Sequence, residues 1–264
     1  MDTSDVTSAA RSAGDHPAVE GAARLGYAVS GVLHLVIAWL ALQVAWTTGG
    51  GSADQSGALR TLASSAVGVL LLWLAVAGFA GLALWQVTDA VIGHPGKGEA
   101  TDRAKAVGKA VVYLVLALSC LSFARGGGAD SSAQSVDVTA ALMAQPGGRI
   151  LVGLVGLAVV AVGGYHVVKG WKRTFLRDLE GHPGTVAERA GRVGYIAKGV
   201  ALAVVGLLFV SAAVQSRPDR ATGLDGALHA LLGQPFGPIL LTLVALGFAG
   251  YGVYSFARAR HAKV

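Results

Sequence analysis

Charge and cysteine are both scarce in this 264-residue chain. Charged residues make up 14% and hydrophobic ones 53%, with a mean hydropathy of +0.59. So little charge poorly suits the surface of a water-soluble domain and fits a chain whose solvent is mostly lipid. The single cysteine, Cys120, allows no internal disulfide and no thiolate cluster, and within an apolar run it reads as a small buried residue. The long apolar runs lack the alternation that a barrel strand needs. The first 22 residues lack an apolar h-region, so they do not read as a cleavable signal peptide. Enzyme signatures are missing too: there is no His-Glu-x-x-His, no Walker loop, no nucleophile elbow and no pair of intramembrane aspartates. The expectation is a non-enzymatic protein with no cofactor and no bound metal.

What is present are six apolar segments of about the length needed to cross a hydrocarbon core, which takes roughly 20 residues of helix. They run Gly26–Trp46, Ala66–Val87, Val107–Ala124, Ile150–Val168, Gly194–Val214 and Gly237–Ala257. Sixteen of the 21 lysines and arginines fall in the N-terminal tail, the second and fourth loops and the C-terminal tail, with the adjoining helix ends. The positive-inside rule then places both termini in the cytoplasm of a cell with a multi-pass plasma-membrane protein. The net charge of +6 follows from this bias and gives no argument for nucleic acid.

The chain repeats itself three times. "RAKAVGKAVVYLVLAL" from Arg103 aligns without a gap on "RVGYIAKGVALAVVGL" from Arg192, at an offset of 89 residues. The same offset takes "LMAQPGGRIL" from Leu142 onto "LLGQPFGPIL" from Leu231, and Tyr165 onto Tyr254. The first copy fits at an offset of 79 to 80, placing Arg24 on Arg103, Gly68 on Gly148 and Trp85 on Tyr165. This predicts a polar tail over 1–22 and three two-helix repeats over 23–93, 103–182 and 192–261. Two crossings return the chain to its starting side, so the repeats are parallel, and three of them suit a pseudo-three-fold arrangement about the membrane normal. The fold class is all-α integral membrane.

The openings "R-x-G-Y-x-x-[SK]-G" and the closing "G-Y-G-x-Y" at Gly250–Tyr254 resemble the bacterial, mainly actinobacterial, membrane family named domain of unknown function 1206. The resemblance covers nearly everything from Ala22 to Arg258 and implies three two-helix repeats. It supplies no catalytic residues. The middle copy departs from the pattern, with Lys105 and Ala106 where the others have Gly-Tyr. Three two-helix units also suggest mitochondrial carriers, but their Pro-x-acidic-x-x-basic signature is absent.

Three sets of residues carry whatever chemistry the chain has. Arg24, Arg103 and Arg192 mark the cytoplasmic face. One turn and more further on, Ser30, Lys109 and Lys198 occupy one repeated position. Lys109 stands only roughly 22 Å of helix from Arg125, so it either snorkels to the headgroups or joins Ser30 and Lys198 in a polar layer able to hold an anion. His16, His94 and His182 each belong to a His-Pro pair in a cytoplasmic linker. Glycine and proline there punctuate turns, and the sharper alternative is a metal or pH site. His34, His166, Gln43 and Gln86 add polarity to the spans, each histidine as a hydrogen-bonded packing residue. In "KGWKRTFLRDLEG", Trp171, Phe175 and Leu179 recur at helical spacing with Lys172, Arg173 and Arg177 off the stripe, which reads as a lipid-surface helix meeting anionic headgroups. Small pairs such as Gly26/Ser30 and Ala77/Gly81 point to close helix packing. The leading functional expectation is a structural or interaction module packing with partners, itself or anionic lipid. The alternative is a small-solute or anion transporter using the polar layer.

Overall fold

The structure, a computed structural model, describes residues 17–47, 51–92 and 99–261. Among the described residues there is no β-strand. The helices are α1 (Pro17–Trp46), α2 (Gln55–Ala63), α3 (Ala66–Ile92), α4 (Glu99–Ala124), α5 (Ser131–Met143), α6 (Gly148–Trp171), α7 (Thr185–Gln215), α8 (Gly223–Leu232) and α9 (Gly237–His261), with short 3₁₀ turns at Thr174–Asp178 and Pro218–Arg220. Six of them, α1, α3, α4, α6, α7 and α9, are long and apolar enough to cross a membrane. The order long helix, short helix, long helix occurs three times, once per repeat. The protein is a multi-pass, all-helical membrane protein built on a three-fold repeat of its own sequence.

Local chemistry sets the helix limits. Among the described residues α1 begins at Pro17, inside the segment expected to be a polar tail, and proline at a first helical position gives up no hydrogen bond. α7 stops where Ser216 turns left-handed, at φ 54, ahead of Arg217-Pro218, a residue pair that resists helix. Each short helix turns sharply into the second span at a glycine: a Cβ on Gly68, Gly148 or Gly237 would lie 1.8, 1.7 or 1.8 Å from the carbonyl oxygen of Leu62, Leu142 or Leu232. No side chain fits there, which is why this glycine recurs in all three copies.

The chain forms two compact units. In the first, which takes in Met1–Ser30, Leu62–Gly127 and Arg258–Val264, α1 crosses α3 with backbone on backbone. A Cβ on Gly78 would lie 2.6 Å from the Gly26 nitrogen, and one on Gly81 would lie 2.3 Å from the Ala22 methyl. The small residue opposite Gly26 is thus Gly78, while its neighbour Ala77 is exposed. The second unit, Gly31–Thr61 with Gly128–Ala257, repeats this contact in the third hairpin: Gly250 lies against Ala190 and Gly247 against Ala197. Here α6 and α7 also meet at paired glycines, where Cβ atoms on Gly163 and Gly199 would fall 2.7 and 2.6 Å from each other's carbonyl oxygens. Gly31 of α1 and Gly252 of α9 stand at the repeat-equivalent positions and make the same contact, at 3.0 and 2.9 Å. Such surfaces let helices approach closely in lipid, where dispersion and weak polar contacts drive association.

Candidate functional site: cations on aromatic rings at the helix junctions

The same side-chain contact appears at two junctions between repeats. Lys169, near the end of α6, has its Nζ 5.3 Å from the centre of the Tyr195 ring on α7. Arg258, near the end of α9, lies 4.2 Å over the Tyr27 ring on α1 and donates a hydrogen bond to its hydroxyl at 3.3 Å. Lys169 and Arg258 share one column of the repeat, and Tyr27 and Tyr195 share another. The remaining copies of those columns hold Asp89 and Ala106, so the third junction, α3 with α4, is built without this pair. It uses Ala83 and Ala110, both buried, in the columns where the other junctions have paired glycines. A cation over a ring face is stabilised by the ring quadrupole, by about 0.5–2 kcal/mol as the site dries.

Around Tyr195 the second unit builds an aromatic core of Phe175, Leu179, Tyr195, Tyr251 and Tyr254. Phe175 stacks on Tyr195 at 5.1 Å, and Tyr254 meets Phe175 edge-on while donating its hydroxyl to the Phe175 carbonyl at 3.4 Å. This corrects the expected lipid-surface helix. α6 ends at Trp171 and Arg173 turns left-handed at φ 56. The chain then folds back as a 3₁₀ turn with Phe175 and Leu179 inside. Trp171, Lys172, Arg173 and Arg177 remain exposed. Trp171 carries Arg192 over its ring at 5.1 Å, Arg173 pairs with Glu188, and Lys169 is tied to Asp178 at 2.6 Å.

The residues expected to form a polar layer have different surroundings. Lys198 is half-buried with its Nζ 4.4 Å from the Tyr251 ring centre; Lys109 is exposed on α4 and Ser30 half-buried on α1. Ser30 and Lys109 belong to the first unit and Lys198 to the second. His34 meets Tyr251 at a tilt with ring centres 4.6 Å apart, and His166 stacks on Tyr195 at 5.8 Å with its Nδ1 at 2.9 Å from the Val162 carbonyl. Both histidines sit as hydrogen-bonding or ring-contacting members of the packing. Gln86, in the column of His166 and Ser255, is 1% exposed and its Oε1 has no hydrogen-bond partner. Arg24 pairs with Glu20 and reaches the Arg260 carbonyl at 3.5 Å, while Arg103 is exposed.

His16 and His94 lie outside the described residues. His182 is exposed, and its Nδ1 accepts the Gly184 N–H at 2.9 Å across a turn whose glycines, Gly181 and Gly184, both have positive φ. Among the described residues no three His, Cys, Asp or Glu side chains are placed to hold a metal ion.

Comparison with known proteins agrees with the three-fold count. A family model described as Domain of Unknown Function (DUF1206) matches residues 25–93, 104–173 and 193–262. A Bacillus subtilis (strain 168) protein, "Uncharacterized protein YxxB", is 31% identical over 252 residues, covering 92% of this chain and 90% of the relative. No solved structure matches. The chain belongs to the DUF1206 family, in which it carries three tandem copies of the domain.

Proposed function

We propose that this protein is a non-enzymatic module of the plasma membrane, with both termini in the cytoplasm, that works by packing against a protein partner, a second copy of itself or anionic lipid. One observation carries this reading: three basic side chains of the spanning helices are engaged in contacts that hold helices together. Lys169 bridges Asp178 and Tyr195, Arg258 sits on Tyr27, and Lys198 sits on Tyr251. A side chain engaged in this way positions a helix and is not presented to a passing solute. The exposed Lys172 and Arg177, beside the exposed Trp171, give the module its contact with anionic headgroups, where an indole and basic groups settle at the interface.

The test is the double variant Lys109→Ala with Lys198→Ala, reconstituted in vesicles beside the wild type. We expect no anion or small-solute flux above protein-free vesicles from either, and retention of the same co-purifying lipid and protein by native mass spectrometry. Flux in the wild type that disappears in the double variant would replace this reading with the transporter.

A further inference from the structure

The three short-helix segments, one from each repeat, are joined within the second unit. The Ala53 N–H donates to Asp225 Oδ1 at 2.8 Å, tying the first repeat to the third. The Ser131 N–H donates to Ser56 Oγ at 3.2 Å, tying the first to the second. Ser132 Oγ donates to the Thr222 carbonyl at 2.7 Å, tying the second to the third. Asp54 lies inside this junction with 2% of its surface exposed. Its Oδ1 accepts from Ser56 Oγ at 2.7 Å and from the Gly57 N–H at 2.9 Å, while its Oδ2 has no hydrogen-bond partner.

The charged groups around it are unequal. Asp130 caps α5 by accepting from the Ser132 and Ala133 N–H groups at 2.9 and 3.0 Å. Its Oδ2 lies 3.5 Å from Ser52 Oγ and 4.0 Å from the Arg60 guanidinium. Asp225 takes the Ala53 N–H on one oxygen and lies 3.5 Å from His229 Nδ1 on the other. Hydrogen-bond donors and basic side chains thus meet the Asp130 and Asp225 carboxyl groups. Asp54 has burial and two like charges facing it.

We propose that Asp54 is the proton-binding latch of this junction: it is held as the neutral acid while the three segments are closed, and its ionisation loosens them. A bare carboxylate oxygen shut away from water is costly, whereas protonation removes the charge that makes its burial costly. Among the described residues no three His, Cys, Asp or Glu side chains are placed to hold a metal ion, and the ligand named here is a proton. Burial is the main cause that raises the Asp54 carboxyl above its ordinary range. The Gly57 and Ser56 hydrogen bonds oppose it, and Asp225 and Asp130 reinforce it. Because the closed-state pKa is raised, the latch is fully made below the ordinary aspartate pKa and lost as pH rises through the raised value. Between those two values the closing equilibrium falls about tenfold per pH unit.

The full chain in lipid nanodiscs tests this by hydrogen exchange over residues 51–61, corrected for the intrinsic pH dependence of amide exchange. The wild type should lose protection progressively as pH rises. Asp54→Asn keeps an acceptor for Ser56 and Gly57 but cannot ionise, and should hold the low-pH protection throughout. Asp225→Asn keeps an acceptor for Ala53 while removing a facing charge, and should move the wild-type transition to lower pH; this arm stands even if Asp54→Asn fails to fold. His229→Gln should leave the transition in place. The proposal is overturned by pH-independent protection in the wild type, by an unchanged slope in Asp54→Asn, by an unmoved transition in Asp225→Asn, or by its loss in His229→Gln. Protection restored at high pH by sodium or calcium would also overturn it, in favour of a bound cation.

Discussion

Adjacent glycines on α6 show how finely this protein distinguishes one small residue from the next. At Gly163 a Cβ would press at 2.7 Å on both the Gly199 carbonyl and the Ala203 nitrogen, backbone atoms that cannot turn aside. At Gly164 it would meet nothing within 4 Å. Gly163→Val should therefore cost more than the usual overpacking penalty of about 1–3 kcal/mol. Gly164→Ala should be neutral or stabilising by up to about 1 kcal/mol through helix propensity. Thermal unfolding of the two variants in one detergent separates them, and equal melting temperatures would refute the packing account. Which of two neighbouring glycines faces a partner was not legible in the sequence, since both lie in the same apolar run. Asp54 was hidden for a related reason. Asp54 and Asp130 precede their short helices while Asp225 lies within its own, so the three carboxylates fall in different columns of the repeat and no alignment of the copies brings them together.

At the scale of elements, the two latched junctions invite a direct measurement. A double-mutant cycle on Tyr27→Leu and Arg258→Met should give a coupling of about 0.5–2 kcal/mol, the range for a cation over a ring. A coupling near zero would mean that the guanidinium merely lies beside the ring. The six spans and their three-fold recurrence were legible because lipid demands long apolar runs and a duplicated chain keeps its offsets. The fold-back after Trp171 was not. Trp171, Phe175 and Leu179 keep a helical spacing, and nothing in that pattern announces that Arg173 turns left-handed. The aromatic core decides the matter: Phe175 and Leu179 gain more by joining Tyr195 and Tyr254 than a continued helix would give them at a lipid surface. The second hairpin departs in a way the sequence does show. Where hairpins one and three place Gly26 and Gly194, Gly81 and Gly250, it has Lys105 and Ala161, and its helices α4 and α6 belong to different units.

For the whole molecule, α1 and α9 are in contact, through Gly31 with Gly252 and Tyr27 with Arg258. A circular permutant that joins the C-terminus to the N-terminus through a flexible linker, and opens the chain between the first and second repeats, keeps every span in its original orientation. It should reach the membrane folded and melt within about 1 kcal/mol of the wild type, since lengthening a closed loop costs little. Failure to fold, with the parent stable under the same conditions, would show that the order of the repeats matters as well as their contacts.

The closing contact also has a meaning in time. α1 is made well before α9, yet the partner for its Gly31 is Gly252 of α9. Until α9 is made, Gly31 lacks the neighbours, Gly252 and Phe256, that the folded structure gives it. A chain truncated before α9 leaves Gly31 unmatched, so the loss of a distant helix is felt as far back as α1.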